Sequence, residues 1–181
     1  MRTLRTTEIE PASWPVVSGL SADAGAIPEA IIWRRLEAWI AWRWPARSVE
    51  WIVEGPGEWT PTLRPVSALS AELWTAGAWE AVTLEATPLG GFRLDAEGPY
   101  RIGGTAGDDT DPPESVLEAF RRLAEYSAQA RAELNNAGAA LAASDVSEGD
   151  FSMTRSPNWI ARAIHLSGAA DLLRPYRRLG A

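Results

Sequence analysis

His165, Ser167 and Asp171 bring the residue types of a base, a nucleophile and an orienting acid into one short stretch. A hydrolytic triad needs those groups converging from separate elements, and side chains this close along one short helix diverge; no nucleophile elbow surrounds the serine. An ordinary surface or interfacial histidine is the favoured reading of His165. The run GGTAGDD, with Gly103, Gly104 and Gly107, is the nearest approach to a phosphate loop. It lacks dinucleotide-loop spacing and the lysine of a P-loop, and Asp108, Asp109 and Asp111 would repel a phosphate. The same aspartates do not make a calcium loop, because Pro112 and Pro113 fall where ligands and a glycine turn are needed. A solvated turn leading into a helix cap fits them better. Carboxylates are numerous, yet no two are singled out as a glycosidase pair.

Two absences narrow the chemistry further. All 17 basic residues are arginine, so Schiff-base and lysine-base mechanisms have no residue to work with. Cysteine is absent and histidine occurs once, which removes thiolate nucleophiles, disulfides and zinc–thiolate sites and leaves any metal to carboxylates alone. Neither a cofactor nor a metal is expected. Tryptophan is the opposite anomaly: eight of the ten fall between Trp33 and Trp79. Rings at that density serve a core, a protein interface or a ligand platform, in that order of preference.

The net charge of -7 is unevenly spread, with an acidic middle and a basic end in which Arg155, Arg162, Arg174, Arg177 and Arg178 face one acid, Asp171. An acidic body argues against gripping nucleic acid through phosphates. The length suits one ordinary domain, or a smaller one with arms. No apolar run is long enough for a membrane span and the N-terminus lacks a signal-peptide core, so a soluble cytoplasmic protein is expected.

Residues 1–26, rich in Ser, Thr, Ala and Pro without a period, read as an arm. From Pro28, Ile32, Leu36, Trp39, Ile40 and Arg43 recur at helical spacing, and Pro45 closes that segment. Between Arg47 and Ile102 the pattern turns to short strands. Val49, Trp51 and Val53 alternate with Glu50, Ile52 and Glu54; Gly55-Pro56-Gly57 reads as a break; AWEAVTLEA, GFRLDA and PYRIGG read as further strands, four to six in all. The clearest helix opens at Pro112, with Asp111 as cap, and carries an apolar stripe of Val116, Leu117, Phe120, Leu123, Ala124 and Ala128. Glu118 and Arg122, four apart, pair on its polar side. Residues 139–150 read as a linker, Ser156-Pro157 as the cap of a short helix with Trp159, Ile160, Ala163 and Ile164 on one side, and the basic end as a tail interrupted by Pro175. The expected fold class is α+β: long helices packed with an antiparallel β region, plus an extended C-terminal tail.

This order of features resembles the head-tail connector (adaptor) family of long-tailed phages, and in particular the adaptors of phage-like gene transfer agents. Its carriers are the helix Ile27 to Trp44, the Arg64-Pro65-Val66 segment with its tryptophan-bearing strands, the strand ending GPYRIGGTAG (Gly98 to Gly107), and the proline-opened helix PPESVLEAFRRLAEY (Pro112 to Tyr126). The resemblance spans residues 27–130.

It implies a structural protein without catalytic activity. Copies of the chain, typically twelve, would form a ring on the portal protein and extend the DNA channel toward a tail-side stopper or tail terminator, first in the cytoplasm and then in the particle neck. DNA would pass without specific binding, as an acidic body suits, and no membrane is involved. On this reading residues 1–26 are an arm, 27–143 the connector domain, and 144–181 a linker and portal-docking tail. Within that tail Leu173, Arg174, Pro175, Tyr176, Arg177 and Arg178 are the expected portal contacts, arginine and tyrosine being strong anchors. The alternative is a carbohydrate-binding β domain using tryptophan platforms. A hydrolase centred on His165 ranks third.

Overall fold

The computed structural model describes residues 2–88, 90–137, 145–148, 151–154 and 162–177. The chain divides into two units, Met1–Trp14 with Ala41–Asp111, and Pro15–Ile40 with Pro112–Ala181.

The first unit is a six-stranded antiparallel sheet. Its strands are β1 (Arg2–Glu8), β2 (Arg47–Trp59), β3 (Val66–Thr75), β4 (Ala78–Val82), β5 (Glu85–Ala86) and β6 (Phe92–Ala106). The spatial order is β1-β2-β6-β3-β4, with β5 beside β6. The alternation read in β2 is real: Val49, Trp51 and Val53 are buried, and Glu50, Ile52 and Glu54 lie on the opposite, wetter face. Gly55-Pro56-Gly57 does not end the strand. The register shifts there and β2 runs on to Trp59, because a bulge lets a strand bend without ending. A side chain at Gly55 would come within 2.6 Å of the Ala96 carbonyl and 2.7 Å of the Tyr100 ring. The two expected strands GFRLDA and PYRIGG are likewise one continuous β6. Its bend is closed by Tyr100, whose hydroxyl accepts from Ala96 N at 2.8 Å and donates to Ala96 O at 3.2 Å. One core then gathers Val49, Trp51, Val53, Tyr100 and Ile102 with Trp59, Leu63 and Leu94.

Residues 2–8 are strand rather than featureless arm. Thr3 to Glu8 pair antiparallel with Val53 to Val49. Glu8 anchors the strand through a two-point pair with the buried Arg43, at 2.7 and 3.1 Å. Arg47, also buried, lies 3.9 Å from the same carboxylate, donates to Trp44 O, and stacks its guanidinium 5.0 Å from the Trp14 ring centre. After Ala106 the chain turns at Gly107, where φ is +93° and a Cβ would meet the Arg43 carbonyl at 2.9 Å. Gly107 N donates to Pro65 O, and Asp109 accepts from Ala46 N. The glycine- and aspartate-rich run is therefore the seam that closes this unit.

The second unit contains α1 (Ala22–Gly25), α2 (Glu29–Trp39), α3 (Glu114–Ala137), the hairpin β7 (Asp145–Glu148) and β8 (Phe151–Thr154), α4 (Ala163–Leu166) and α5 (Ala169–Leu172), followed by a 3-10 turn at Arg174–Tyr176. Helix α2 stops five residues before Trp44. Ile40 is already extended, and Trp42 bridges to Arg64 instead. Helix α3 begins at Glu114, where Pro113 O receives the Val116 and Leu117 amides, so Asp111 is not its cap. Its expected stripe is buried at Val116, Phe120, Leu123, Ala124 and Ala128, with Leu117 half-buried. Trp33 of α2 packs its ring 5.1 Å from Phe120 and donates from Nε1 to Pro15 O. At 24 residues α3 is the one long helix among the described residues; α2 has 11. Part of the stretch read as linker is the strand β7. The Ser156-Pro157 cap, with Trp159 and Ile160, lies outside the described residues.

Candidate assembly surfaces

The expected docking tail is folded in its described part. Gly168, at φ +76°, reverses the chain between α4 and α5, so Ala163, Ile164, Ala169 and Leu173 all turn inward and become buried. Four-residue helices have no stability of their own. They persist here because their apolar residues pack on α3. Leu173 is 0% exposed, and it belongs to the core of this unit rather than to its surface. Arg174 and Pro175 are exposed; Tyr176 is half-buried with its hydroxyl 3.5 Å from Ser115 Oγ. Arg177 is exposed and holds its guanidinium 4.2 Å from the Trp39 ring centre. Arg178 lies outside the described residues. The folded segment thus presents Arg174, Pro175 and Arg177 together, with Arg162 also exposed.

The paper triad does not assemble. Ser167 Oγ donates to Ile164 O at 3.3 Å and accepts from Ala169 N at 3.4 Å, which commits it to the helix turn. His165 stands edge-on to Trp39 with ring centres 4.6 Å apart. Among the described residues no three of His, Asp and Glu are grouped as metal ligands, and no helix is long and apolar enough to cross a membrane.

A groove of about 690 Å³ runs beside α3, lined by Glu118, Arg121, Arg122, Glu125, Tyr126 and Leu166 among others. Its charges are matched internally. Arg122 and Arg121 donate to Glu118 at 2.9 and 3.3 Å, and these bonds, Arg122's first, hold the carboxyl below the usual glutamate range. Arg121 is itself raised, chiefly by its 2.7 Å bond to Glu114. Ser21 donates from both N and Oγ to Glu125. With Glu118, Arg121, Arg122 and Glu125 each answered by a neighbour, this side of the groove is a braced surface.

Tryptophan use is graded, with Trp39, Trp42 and Trp79 half-buried. Trp14, Trp33, Trp44, Trp51 and Trp59 are buried; Trp159 lies outside the described residues. Trp74 is 43% exposed and meets Trp79 edge-to-face at 5.2 Å across the β3–β4 hairpin. Arg101 stacks 4.8 Å from the Trp79 ring centre while its Nε donates to Glu72 at 2.6 Å. A surface aromatic pair braced by an arginine is the composition of a protein-interface hot spot. The signal lay in WTAGAW: Ala76 and Gly77 both take positive φ, as a two-residue hairpin turn demands, and they put the flanking tryptophans opposite each other.

No family model matches the chain, and no curated protein matches it. Among solved structures, a chain from the neck of an empty gene transfer agent particle, computed with C6 symmetry, aligns over 98% of this chain and 97% of its own at a TM-score of 0.55 and 14% identity. A chain from the virion of a native gene transfer agent particle aligns over 84% of this chain and 76% of its own, with a TM-score of 0.48 and 17% identity. At such identities the likeness is one of fold, and with the neck chain it extends over essentially the whole length of both.

Proposed function

We propose that the chain is a structural head-tail adaptor of a phage-like particle of the gene transfer agent type: a non-enzymatic neck protein whose copies form a ring on the portal and carry the DNA channel toward the tail. The observation that carries this reading is the coextensive fold shared with a neck chain of such a particle. It joins a sequence pattern, from the helix at Ile27 to the proline-opened α3, that resembles the adaptor family independently. An acidic body lets phosphates pass without holding them. Twelve copies is the family number, and a neck with six-fold symmetry accommodates it.

Portal docking falls to the C-terminal segment, with Arg174, Pro175, Tyr176 and Arg177 of its folded part and Arg178, outside the described residues, as the contacts and Leu173 holding the folded part to α3. Five tryptophans are buried, and of the half-buried ones Trp39 is met by Arg177 and His165 and Trp42 stacks on Trp44, which weakens the case for a carbohydrate platform.

The test is the native mass of the chain mixed with its cognate portal ring, beside each component alone. One chain per portal subunit supports the adaptor reading, and Arg174→Ala with Arg177→Ala should then weaken the complex at least tenfold. No association with an intact portal ring would overturn it.

A further inference from the structure

Trp39, the last residue of α2, carries a donor that the chain does not answer. Two exposed side chains of the C-terminal segment pack on its ring: His165, edge-on with ring centres 4.6 Å apart, and Arg177, with its guanidinium 4.2 Å from the ring centre. Neither supplies an acceptor, and the indole N–H at Nε1 is buried without a hydrogen bond. Other indoles of the chain are served: Trp33 donates to Pro15 O, and Trp51 and Trp59 donate to the hydroxyls of Thr62 and Thr3. A buried donor left unmade disfavours the state that contains it, so the free chain gains when an acceptor arrives from outside.

The surroundings specify that acceptor. Between residues 162 and 177 the exposed charges are Arg162, Arg174 and Arg177 against Asp171. Arg177 N donates to Arg174 O, and residues three apart eclipse in a 3-10 turn, so Arg174 and Arg177 lie on one side of it. On α2, Arg35 stands one turn before Trp39 and donates to Ser127 Oγ, while the buried Glu37 lies roughly opposite around the helix. A neutral carbonyl would satisfy the indole and leave the cations unused. A carboxylate serves both, one oxygen meeting a guanidinium and the other the N–H. The phosphates of duplex DNA would bring many charges against a chain of net charge -7.

We infer that Trp39 belongs to the docking surface and, with Arg174 and Arg177, receives a carboxylate of the portal protein. The carboxylate accepts from Trp39 Nε1 as Arg177 and His165 shift aside. Both are exposed side chains and free to move, whereas the buried Leu173 keeps the segment itself in place. This rests on the portal-docking reading above; it names the group the portal must present and adds a residue of α2 to the contact.

Trp39→Phe keeps a ring for His165 and Arg177 and deletes the donor. Benzothienylalanine at position 39, with sulfur replacing the N–H, keeps the shape of the indole as well, and carries the test if the phenylalanine variant fails to fold. Each should bind the portal ring roughly tenfold more weakly than the wild-type chain, about 1.4 kcal/mol, with ellipticity at 222 nm unchanged. Wild-type affinity in the benzothienyl form would overturn the inference and leave the adaptor reading standing. On a portal ring whose exposed carboxylates have been converted to glycinamides, and which stays intact by native mass, the wild-type and benzothienyl forms should bind equally; a persisting tenfold difference would overturn the carboxylate. Binding to duplex DNA that weakens with the same replacement would overturn it in favour of phosphate. No association of the wild-type chain with an intact portal ring would take both readings down.

Discussion

Replacing Leu173 with alanine separates a folded C-terminal segment from an extended one. The side chain is 0% exposed. Truncation removes three carbons, about 2.4 kcal/mol of transfer free energy at roughly 0.8 each, and the cavity left against α3 adds to that, for a total of about 3 kcal/mol. Every described helix lies in the second unit, so ellipticity at 222 nm follows that unit. With a urea slope of about 1.5 kcal/mol/M, the midpoint should fall by about 2 M. Arg174→Ala, one residue on and exposed, should shift it by less than about 0.5 M, since surface changes of this kind stay near ±0.5 kcal/mol. Equal, small shifts in the two variants would refute the packing and restore the extended tail read from the sequence.

Glu8→Gln should destabilise the first unit by about 3 kcal/mol in chemical denaturation, because Arg43 and Arg47, both buried, lose the carboxylate between them. Gly107→Ala should cost about 3 kcal/mol or more, from positive φ and a 2.9 Å clash with a backbone oxygen, while Gly77→Ala, also at positive φ but with open space, should cost less. The Glu118 carboxyl should titrate below the ordinary glutamate value of 4.5, and Arg122→Met should move it upward by NMR. Since the folded value is the depressed one, this stabilisation is whole above about pH 4.5 and is lost as pH falls through the folded value. Titration with soluble oligosaccharides should leave tryptophan fluorescence unchanged; a quench abolished by Trp74→Ala would favour the carbohydrate platform instead.

Legibility in the sequence followed burial. α3 was readable because one face of many turns is buried, which repeats the signal, and because two prolines mark its start. β2 was readable from Arg47 to Glu54 because its two faces differ in burial at every step there. β1 was not, since an edge strand whose residues are nearly all exposed has no alternation to display. The bend in β2 was mistaken for an end because Gly-Pro-Gly serves a bulge as well as a turn; what distinguishes them is the Tyr100 ring lying over Gly55, a contact 45 positions away. α4 and α5 are four residues each, too short for any period, and their basic surroundings suggested a solvated tail. Of the six residues proposed for docking, composition picked out the charged ones but gave no means of telling that Leu173 points inward.

That inward leucine changes what docking requires. An extended tail would order on binding, so part of the interaction energy would be lost to immobilising each residue, at about 1 to 2 kcal/mol apiece for the backbone alone. A segment already folded on α3 has met that cost in the free chain. Arg177 is partly fixed as well, by stacking on Trp39. Preorganisation of this kind shifts affinity into a few anchors and makes the segment's integrity a precondition for binding. Deleting residues 172–181 would consequently confound docking with folding, whereas Arg177→Ala leaves Leu173 in place. If the folded segment is the docking element, Leu173→Ala should weaken portal binding nearly as much as losing Arg177, although Leu173 is buried in the free chain. If the segment instead peels away on docking, Leu173→Ala should strengthen binding, because the unlatched form would no longer compete with a buried leucine. The sign of that one change in affinity decides between the two.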